Sequence, residues 1–290
     1  MKFSIITPCY NSKEYIEQCI LSIKNQSYLN YEHIIVDGGS TDGTLEIIKQ
    51  YEKTYSMKWI SEKDQGMYDA INKGFSMAEG DVFSWINADD CYMPWSLQAV
   101  ADCMEKYPYV QWVTGIPTTF NIKGMLYFRS GYKVKTYNRK CIAKGEHHIR
   151  GKGAIQQEST FWRKQLWERV GNIDLRFKTA GDFDLWRRFA QYESLYTLNT
   201  ILAGFRIRDG QKSEDTITYC KEFEEYCTWQ NFIWWLCDKI FHINKIYYYR
   251  NRKMLLNLSY SNNREARVAD IKEYINTFLL KNKMNKNGQY

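Results

Sequence analysis

Proline, long apolar runs and paired cysteines are all scarce in this chain of 290 residues. The longest dense apolar run, Phe232 to Cys237, ends at Asp238, so no segment approaches the roughly 20 apolar residues of a membrane-spanning helix. The eight cysteines form no CxxC pair and no Cys/His cluster, which argues against a zinc site or a disulfide framework. Met1 leads straight into a strand-like run, without the basic and apolar regions of a secretory signal. These absences predict a cytoplasmic protein with reduced thiols.

The net charge of +7 is unevenly distributed along the chain. From Thr216 to the C-terminus there are 12 basic and 7 acidic residues, so most of the net charge lies in the last quarter of the sequence. This asymmetry favours an anionic surface near the C-terminus, either a membrane or a nucleic acid. The rest of the chain is nearly balanced, so phosphate binding there depends on local sites.

The segment 229–253 combines an apolar stripe with basic and tyrosine residues. A basic, aromatic amphipathic helix is suited to an anionic membrane interface. A helix packed on the domain, or on a second subunit in a homodimer, is the alternative. The stripe consists of Trp229, Phe232, Ile233, Trp235, Leu236, Ile240 and Phe241.

Strand-like and helix-like segments alternate through the first hundred residues. Short apolar runs at 3–7, 33–36, 57–60 and 82–86 end in polar turns, and helical spacing of apolar residues separates them. This alternation predicts an α/β fold, with a parallel sheet and helices on both faces. Because ligands bind beyond the carboxyl ends of such strands, the polar residues there should share one crevice. Those residues are Tyr10, Asn11, Asp37, Asp64, Asp89 and Asp90.

Two adjacent carboxylates follow the fourth apolar run, in the segment Asn87 to Asp90. Such a concentration of negative charge requires a cation or hydrogen-bond donors to offset it. Mg²⁺ and Mn²⁺ prefer oxygen ligands and commonly pair one or two carboxylates with substrate phosphates. The segment therefore indicates a metal–diphosphate site, and the start of a helix is the alternative.

Asp37 ends the second apolar run and is followed by Gly38 and Gly39. A carboxylate at this position could accept hydrogen bonds from a base or a ribose, while the glycines would let a ligand approach the backbone. The pattern is neither the GxGxxG motif nor the GxxxxGK[ST] phosphate loop. A turn that caps the next helix is the alternative interpretation.

Three basic residues are candidates to place positive charge beside a substrate phosphate. Asp64 precedes a helix that carries Lys73 two turns later, and Arg206 and Arg208 follow further along the chain. Any of these cations could meet a phosphate, whereas a solvated helix face and surface solubility are the alternatives.

A general base is predicted at the start of a helix near Ala180 to Arg188. A base of this kind is a carboxylate within hydrogen-bond reach of the hydroxyl that it deprotonates. Asp182 lies at the first turn and should face the crevice, while Leu185, Trp186 and Phe189 enter the core. An N-cap aspartate is the alternative interpretation, with Asp184 as an ordinary first-turn acid.

Taken together, these segments resemble the family 2 glycosyltransferases, which are inverting enzymes of the GT-A fold that use nucleotide-diphosphate sugars. The resemblance lies in 4–11, 36–44, 64–74 and 85–90, which occur in the family's order and spacing. It weakens to 156–163 and 180–188 and covers nothing after about Ser213. It points to the bacterial transferases that build O-antigen, capsule or exopolysaccharide, with lipopolysaccharide as one product class.

The resemblance implies a role for each residue of the crevice. Pro8, Tyr10 and Asp37 would hold the nucleoside, with Asp37 reading the base. Asp89 of the DxD-type motif, together with Asp90, would bind Mn²⁺ or Mg²⁺, and Asp182 would be the catalytic base. The nucleotide-sugar site would comprise Pro8, Tyr10, Asp37, Asp64, Lys73, Asn87, Ala88, Asp89 and Arg206.

The sequence departs from the family pattern at two positions. Asn87 stands where the first Asp of the DxD motif is expected. Gly181 leaves Asp182 without the neighbouring acid often found beside the base, with Asp184 as the fallback base. An inactive relative is therefore one alternative to an active enzyme, and a nucleic-acid-binding protein is another. An active enzyme is preferred, because nucleic-acid binding leaves the acidic crevice unexplained.

The resemblance also predicts the organisation and partners of the protein. Residues 1–215 would form the GT-A domain, with a nucleotide-sugar half at 1–108 and an acceptor half at 109–215, and 216–290 a helical extension. The donor would be a UDP-sugar, and the acceptor a glycan linked to undecaprenyl diphosphate. The protein would then be peripheral at the inner face of the cytoplasmic membrane and would bind no nucleic acid.

Overall fold

The computed structural model describes residues 1–122, 126–127, 134–146, 155–215, 218–219, 221–222, 255–260 and 266–269. Short apolar runs form strands and longer amphipathic segments form helices, as their periods of two and 3.6 residues require. The strands are β1 Phe3–Cys9, β2 Tyr31–Asp37, β3 Met57–Ser61, β4 Val82–Trp85, β5 Cys91–Tyr92, β6 Trp112–Thr114, β7 Thr119–Phe120, β8 Leu126–Tyr127, β9 Thr160–Arg163, β10 Leu195–Leu198, β11 Ala203–Arg206, β12 Leu255–Tyr260 and β13 Ala266–Ala269. The helices are α1 Ile16–Lys24, α2 Thr44–Tyr51, α3 Met67–Ser76, α4 Ser96–Lys106, α5 Arg139–Ala143, α6 Lys164–Val170 and α7 Gly181–Tyr192.

A mostly parallel sheet runs through the domain, in the order β13-β12-β10-β6-β9-β4-β1-β2-β3. β1 pairs in parallel with β2 on one side and with β4 on the other, whereas β9 is antiparallel to both β4 and β6. A smaller sheet has the order β5-β11-β7-β8. Because β2 and β4 lie on opposite sides of β1, the strand order reverses there, and the crevice beyond β1 and β4 is the topological switch point.

Helices cover both faces of the large sheet, as the sequence predicts. Neighbouring residues of one strand enter different cores: Ile5 packs with α1 and α4, whereas Ile6 packs with α3, α6 and α7. Phe161 and Trp162 of β9 divide in the same way. This alternation is the two-residue period of a strand that is buried on both faces. The halves predicted as 1–108 and 109–215 contribute to the same cores, and the boundary at residue 215 stays a prediction.

A cluster of tryptophans packs beneath the switch point and accounts for part of the aromatic content. Trp85 at the end of β4 stacks on Trp186 of α7 with ring centroids 5.7 Å apart, and Trp162 packs edge-on to Trp85 at 5.5 Å. Aromatic pairs at such distances contribute roughly 0.5–1.5 kcal/mol each beyond the area that they bury. The cluster thereby fixes α7, and with it the start of that helix, against the end of β4.

The prediction of a helical C-terminal segment is wrong at 255–260 and 266–269, which form strands. β12 pairs in parallel with β10, and β13 is antiparallel to β12. Apolar residues at 256, 258 and 260 alternate with polar residues at 257 and 259, which is the period of a strand rather than a helix. The amphipathic helix predicted at 229–253 lies outside the described residues. Within the described ranges, no helix is both long and apolar enough to cross a membrane.

Candidate active site

A cavity of about 1340 Å³ opens at the switch point. Its wall combines the turns after β1 and β4 with the first turns of α3 and α7 and the segment after β11. Because β1, β3 and β4 are parallel strands that end at one edge of the large sheet, the segments that follow them meet there although they are far apart in sequence. The predicted site residues that line it are Pro8, Tyr10, Asp64, Asn87, Ala88, Asp89 and Asp182.

Asp89 faces the cavity in an ion pair with Arg208. The Arg208 Nε donates to Asp89 Oδ2 at 2.7 Å, and both side chains are partly exposed, at 20% for Asp89 and 30% for Arg208. A pair in this setting is worth less than a buried one, because water screens it. The two side chains therefore present a carboxylate and a guanidinium to the same space.

Asn87 and Gln157 form a polar floor beside Asp89. The Gln157 side-chain amide donates to the Trp85 carbonyl, and Asn87 Nδ2 lies 3.3 Å from Asp90 Oδ2 and 3.5 Å from Gln157 Oε1. Asn87 Oδ1 is buried and accepts no hydrogen bond within the described part of the chain. A buried acceptor without a donor is destabilising by about 1–3 kcal/mol, so this oxygen is available to a ligand.

Asp182 lies in the first turn of α7 and directs its carboxyl group into the cavity wall. Burial raises the pKa of Asp182 to about 6, although hydrogen bonds from the Asp182 and Phe183 backbone N–H groups lower it. Asp182 Oδ1 is buried and makes no hydrogen bond with the described residues. A carboxylate with one uncommitted oxygen and a pKa near neutrality is suited to accept a proton.

Asp184, the alternative base, faces away from the cavity. Its carboxylate accepts a hydrogen bond from Arg188 Nε at 2.7 Å and lies 3.6 Å from Arg187 Nη2, and Asp184 is only 6% exposed. An i,i+4 pair of this kind stabilises the helix. The geometry therefore separates the two first-turn acids that the sequence left as candidates.

Tyr68 occupies the space beside the base that a second acid would need. Its hydroxyl donates to the Thr179 carbonyl at 2.8 Å and accepts the Gly181 N–H at 2.9 Å. A Cβ at position 181 would lie 2.7 Å from the Tyr68 ring and 2.8 Å from Ile173 Cγ2. The glycine is therefore required by close packing, which explains why a single carboxylate stands here.

We expect Gly181→Ala to lower the free energy of unfolding by about 1–3 kcal/mol, because the added methyl overpacks this contact. Helix propensity alone would favour alanine by up to about 1 kcal/mol, so the predicted sign is opposite to the local preference. Urea denaturation of the variant and the parent protein measures the difference. An unchanged or higher midpoint would show that Tyr68 and Ile173 move aside.

Asp37 does not reach the cavity, contrary to its predicted contact with the base. It is fully buried, and its carboxylate accepts hydrogen bonds from the Gly39 and Ser40 N–H groups and from the hydroxyls of Ser40 and Ser61. Burial raises the pKa of Asp37, but these hydrogen bonds outweigh it, so the net pKa lies below its ordinary value. Because its oxygens are already bonded, this residue fixes the loop after β2.

Asp90 and Arg206 are also buried beneath the cavity, contrary to prediction. Asp90 Oδ1 accepts the Arg206 backbone N–H at 2.8 Å, and burial together with the neighbouring Asp89 charge raises the pKa of Asp90 well above its ordinary range. Arg206 is 1% exposed, and its Nε donates to the Asp89 carbonyl at 2.6 Å. Both residues therefore hold the turn that carries Asp89 and do not themselves face a ligand.

Lys73 lies outside the cavity, so its predicted phosphate contact is wrong in this structure. Its Nζ is 2.8 Å from Glu62 Oε1 and 3.3 Å from Asp69 Oδ2, its i−4 neighbour on α3. A lysine one turn after an aspartate on an exposed helix face forms a local pair. The Lys73 side chain is 29% exposed in these pairs and does not line the cavity.

No role was predicted from the sequence for several residues that form the site, although the resemblance extends weakly to 156–163. Glu158 is buried beside the cavity, and burial raises its pKa well above its ordinary range. Gln157 and Tyr68 also line the cavity. A polar run before a buried strand could have indicated Gln157 and Glu158. No local pattern indicates Tyr68, because its role depends on α7, more than a hundred residues away.

The donor atoms fit a hard divalent cation that shares its shell with a bound anion. Among the described residues, no group of three His, Cys, Asp or Glu side chains is placed to hold a metal alone. Mg²⁺ and Mn²⁺ commonly use one or two carboxylates together with phosphate oxygens. Asp89 supplies a carboxylate, and the unbonded Asn87 Oδ1 supplies a buried oxygen.

Comparison with solved structures defines the fold class. TarS of S. aureus in complex with UDP-GlcNAc superposes with a TM-score of 0.60 at 20% identity, over 74% of this chain and 61% of that one. The mannosyltransferase PcManGT of Pyrobaculum calidifontis, in complex with GDP-Man and Mn²⁺, gives 0.58 at 17% identity, over 77% and 62%. The chain therefore has the GT-A glycosyltransferase fold, and it spans about three-fifths of each structure.

The family follows from the sequence of the domain. The model of glycosyl transferase family 2 matches residues 4–164, more than half of the chain. An uncharacterized glycosyltransferase of Rickettsia prowazekii is 25% identical over 243 residues, which is 79% of this chain and 71% of that protein. The chain belongs to glycosyl transferase family 2 and is a transferase enzyme, as the sequence motifs predicted.

Proposed function

We propose that the protein transfers a sugar, with inversion, from a nucleotide-diphosphate sugar to a hydroxyl group of a lipid-linked glycan, in the synthesis of a bacterial surface polysaccharide. The observation that carries this proposal is that Asp182 and the Asp89–Arg208 pair face one cavity. Asp182 then provides a proton acceptor, and Asp89 and Arg208 provide the groups that bind a diphosphate. These are the two functions that a single displacement at the anomeric carbon requires.

Asp182 acts as the base in this proposal. The acceptor oxygen attacks the anomeric carbon while its proton passes to the Asp182 carboxylate, whose Oδ1 has no hydrogen-bond partner among the described residues. The new C–O bond forms as the bond to the diphosphate oxygen breaks, and the nucleoside diphosphate leaves with the electron pair. A single displacement inverts the anomeric centre, so an α-linked donor gives a β-linked product.

Charge on the departing diphosphate is offset by the groups around Asp89. Arg208 and Lys212 line the cavity and supply positive charge. Asp89, with the Asn87 amide oxygen, would hold Mn²⁺ or Mg²⁺. A bound divalent ion supplies Lewis-acid stabilisation of negative charge at this position. Pro8, Tyr10, Asp64 and Ala88 line the same cavity and would contact the nucleotide.

The donor class is supported by the structural neighbours. TarS is described with UDP-GlcNAc, and PcManGT with GDP-Man and Mn²⁺, so nucleotide sugars and a divalent metal occur on this fold. A UDP-sugar is our proposal for this chain. The lipid-linked acceptor and peripheral membrane contact are proposed from the family resemblance and from the basic, aromatic segment 229–253.

Thermal-shift measurements with donors and metal test this function. UDP-GlcNAc, UDP-glucose and GDP-mannose are each added with and without Mn²⁺. A ligand at about 100 times its Kd stabilises the native state by about 2.7 kcal/mol, so one donor should raise the Tm, and more so with Mn²⁺. We expect Asp89→Asn to lose the metal-dependent part of the rise.

Glu168→Gln is the matched control, because Glu168 is exposed and lies outside the cavity. It should retain the full response. If none of the three donors shifted the Tm of the parent protein, with or without Mn²⁺, the assignment of a nucleotide-sugar site would be wrong.

A further inference from the structure

Glu222 bonds to the loop that leads into the catalytic base. Its Oε1 accepts the Lys178 N–H at 2.6 Å, and its Oε2 accepts the N–H groups of Thr179 at 2.9 Å and Ala180 at 2.7 Å. The Thr179 hydroxyl donates to the same oxygen at 2.9 Å. One carboxylate thus holds three consecutive backbone N–H groups of the base loop, which we define as residues 178–181.

These hydrogen bonds leave the base loop little freedom. The first N–H groups of a helix have no partner within the helix, so side chains must satisfy them. Glu222 accepts the N–H of the N-cap residue Ala180 and of the two residues before it, and the Tyr68 hydroxyl accepts the N–H of Gly181, the first residue of α7. Asp182 is the next residue. The position of its carboxyl group is therefore set by two side chains that are distant in sequence.

Glu222 lies outside residues 4–164, the part of the chain that the family model matches. Tyr219, three residues earlier, lines the cavity and packs against the core beneath it. Glu222 itself does not line the cavity. The same short stretch therefore contributes one side chain to the cavity wall and one to the support of the base.

We propose that Glu222 is a positioning residue that orients Asp182, so that the chain after residue 215 takes part in catalysis. This inference rests on the proposed function, because it assumes that Asp182 is the base. Three chemical consequences follow: the base loop is fixed, the positive end of α7 is neutralised, and a negative charge lies near Asp182. The fixed base loop determines the reaction rate, whereas the neutralised helix end and the nearby negative charge affect the ionisation of Asp182.

The charge of Glu222 has a predictable sign at Asp182. Burial raises the pKa of Glu222, but the hydrogen bonds from the backbone N–H groups outweigh this effect and lower the net pKa. The residue is therefore ionised at neutral pH. Burial and then the Glu222 charge raise the pKa of Asp182, and Glu158 and Tyr68 are the other titratable groups near it. Removal of the Glu222 charge should therefore lower the pKa of Asp182 and move the rising limb of the pH profile to lower pH.

The test compares Glu222→Gln, Glu222→Asp and the control Glu168→Gln in the full chain. Release of nucleoside diphosphate from UDP-GlcNAc, with water as the acceptor, is followed between pH 5 and 9. For Glu222→Gln we expect kcat to fall about tenfold with KM unchanged, since a misplaced base slows the chemistry and leaves donor binding intact. The rising limb should move down by about 0.5–1 pH unit.

The Glu222→Asp variant separates the effect of the carboxylate's charge from the effect of its position. It keeps the charge but retracts the carboxylate, so kcat should fall while the limb stays near its parental position. Glu168→Gln should match the parent protein in both respects. If Glu222→Gln did not fold, a lowered kcat with unchanged KM in Glu222→Asp would support the proposal, and an unchanged kcat would overturn it.

Other outcomes distinguish this inference from the function on which it rests. If Asp182→Asn is inactive but Glu222→Gln keeps both the parental kcat and the parental limb, the positioning role is wrong and the proposed function stands. A lower kcat in Glu222→Gln without a shift of the limb indicates a structural role only and also overturns the inference. Parental activity in Asp182→Asn, or no release by the parent protein from UDP-GlcNAc, UDP-glucose or GDP-mannose, overturns both.

Discussion

The Asp182→Asn variant is expected to lose about 10²–10⁴-fold in the rate of nucleoside diphosphate release, with donor affinity unchanged. Asparagine has nearly the same shape as aspartate but cannot take the proton of the attacking hydroxyl at neutral pH. The native backbone bonds around position 182 should remain, because Glu222 and Tyr68 hold the base loop and not the Asp182 carboxyl. Stopped assays of nucleotide release and calorimetric titration with UDP measure the two quantities.

The pH profile gives the same prediction a second check. The parent rate should rise with pH through about 6, since burial raises the pKa of Asp182 to that value and only the ionised form is a base. The Asp182→Asn variant should lack this limb. Asp184→Asn is the control, because Asp184 pairs with Arg188 outside the cavity, and its rate should stay close to that of the parent protein. Retention of the parental rate in Asp182→Asn would remove this residue from the mechanism.

The fold could be predicted because its signals are local. β1, β2 and β4 are short runs of apolar residues, and the helices between them repeat apolar residues at 3.6-residue spacing. Alternation of such elements leaves few topologies. The strand at 255–260 was missed although its residues alternate with a strand's two-residue period, because the basic, aromatic composition of the preceding segment suggested a helical extension. Its place beside β10 could not be predicted, because that pairing joins distant parts of the chain.

The site was predictable at the level of turns but not of side chains. The sheet brings the turns after β1 and β4 together, so Tyr10, Asn87 and Asp89 share a cavity as expected. Within one turn, however, Asp89 faces the cavity while Asp90 faces the β11 backbone. Neighbouring acids look equivalent in sequence, and only the tertiary partner decides which of them is buried.

The same principle separates Arg206 from Arg208. Arg206 ends β11 and Arg208 follows two residues later, yet Arg206 is 1% exposed and Arg208 pairs with Asp89 at the cavity. The direction of each side chain depends on which carbonyl groups need a donor. Arg206 meets a cluster of carbonyl oxygens that only the folded protein assembles, so its role could not be read from the sequence.

Arg206→Met is expected to lower the free energy of unfolding by about 3–5 kcal/mol. The Arg206 guanidinium donates to the Asp89 carbonyl at 2.6 Å and to Gln18 Oε1 at 2.7 Å, and it lies over the Tyr15 ring at 5.3 Å. Methionine keeps most of the stem but supplies no donor, so these acceptors lose the buried guanidinium as their partner. Urea denaturation, followed by tryptophan fluorescence, measures the loss.

Arg176→Met is the matched control, because the Arg176 side chain is 87% exposed in its pair with Asp174. An exposed pair contributes about 0–1 kcal/mol, so this variant should unfold close to the parental midpoint. Arg206→Met should also weaken UDP binding, since the turn that presents Asp89 loses its main support. A midpoint for Arg206→Met equal to that of Arg176→Met would mean that the buried carbonyls find other donors and that Arg206 does not fix the Asp89 turn.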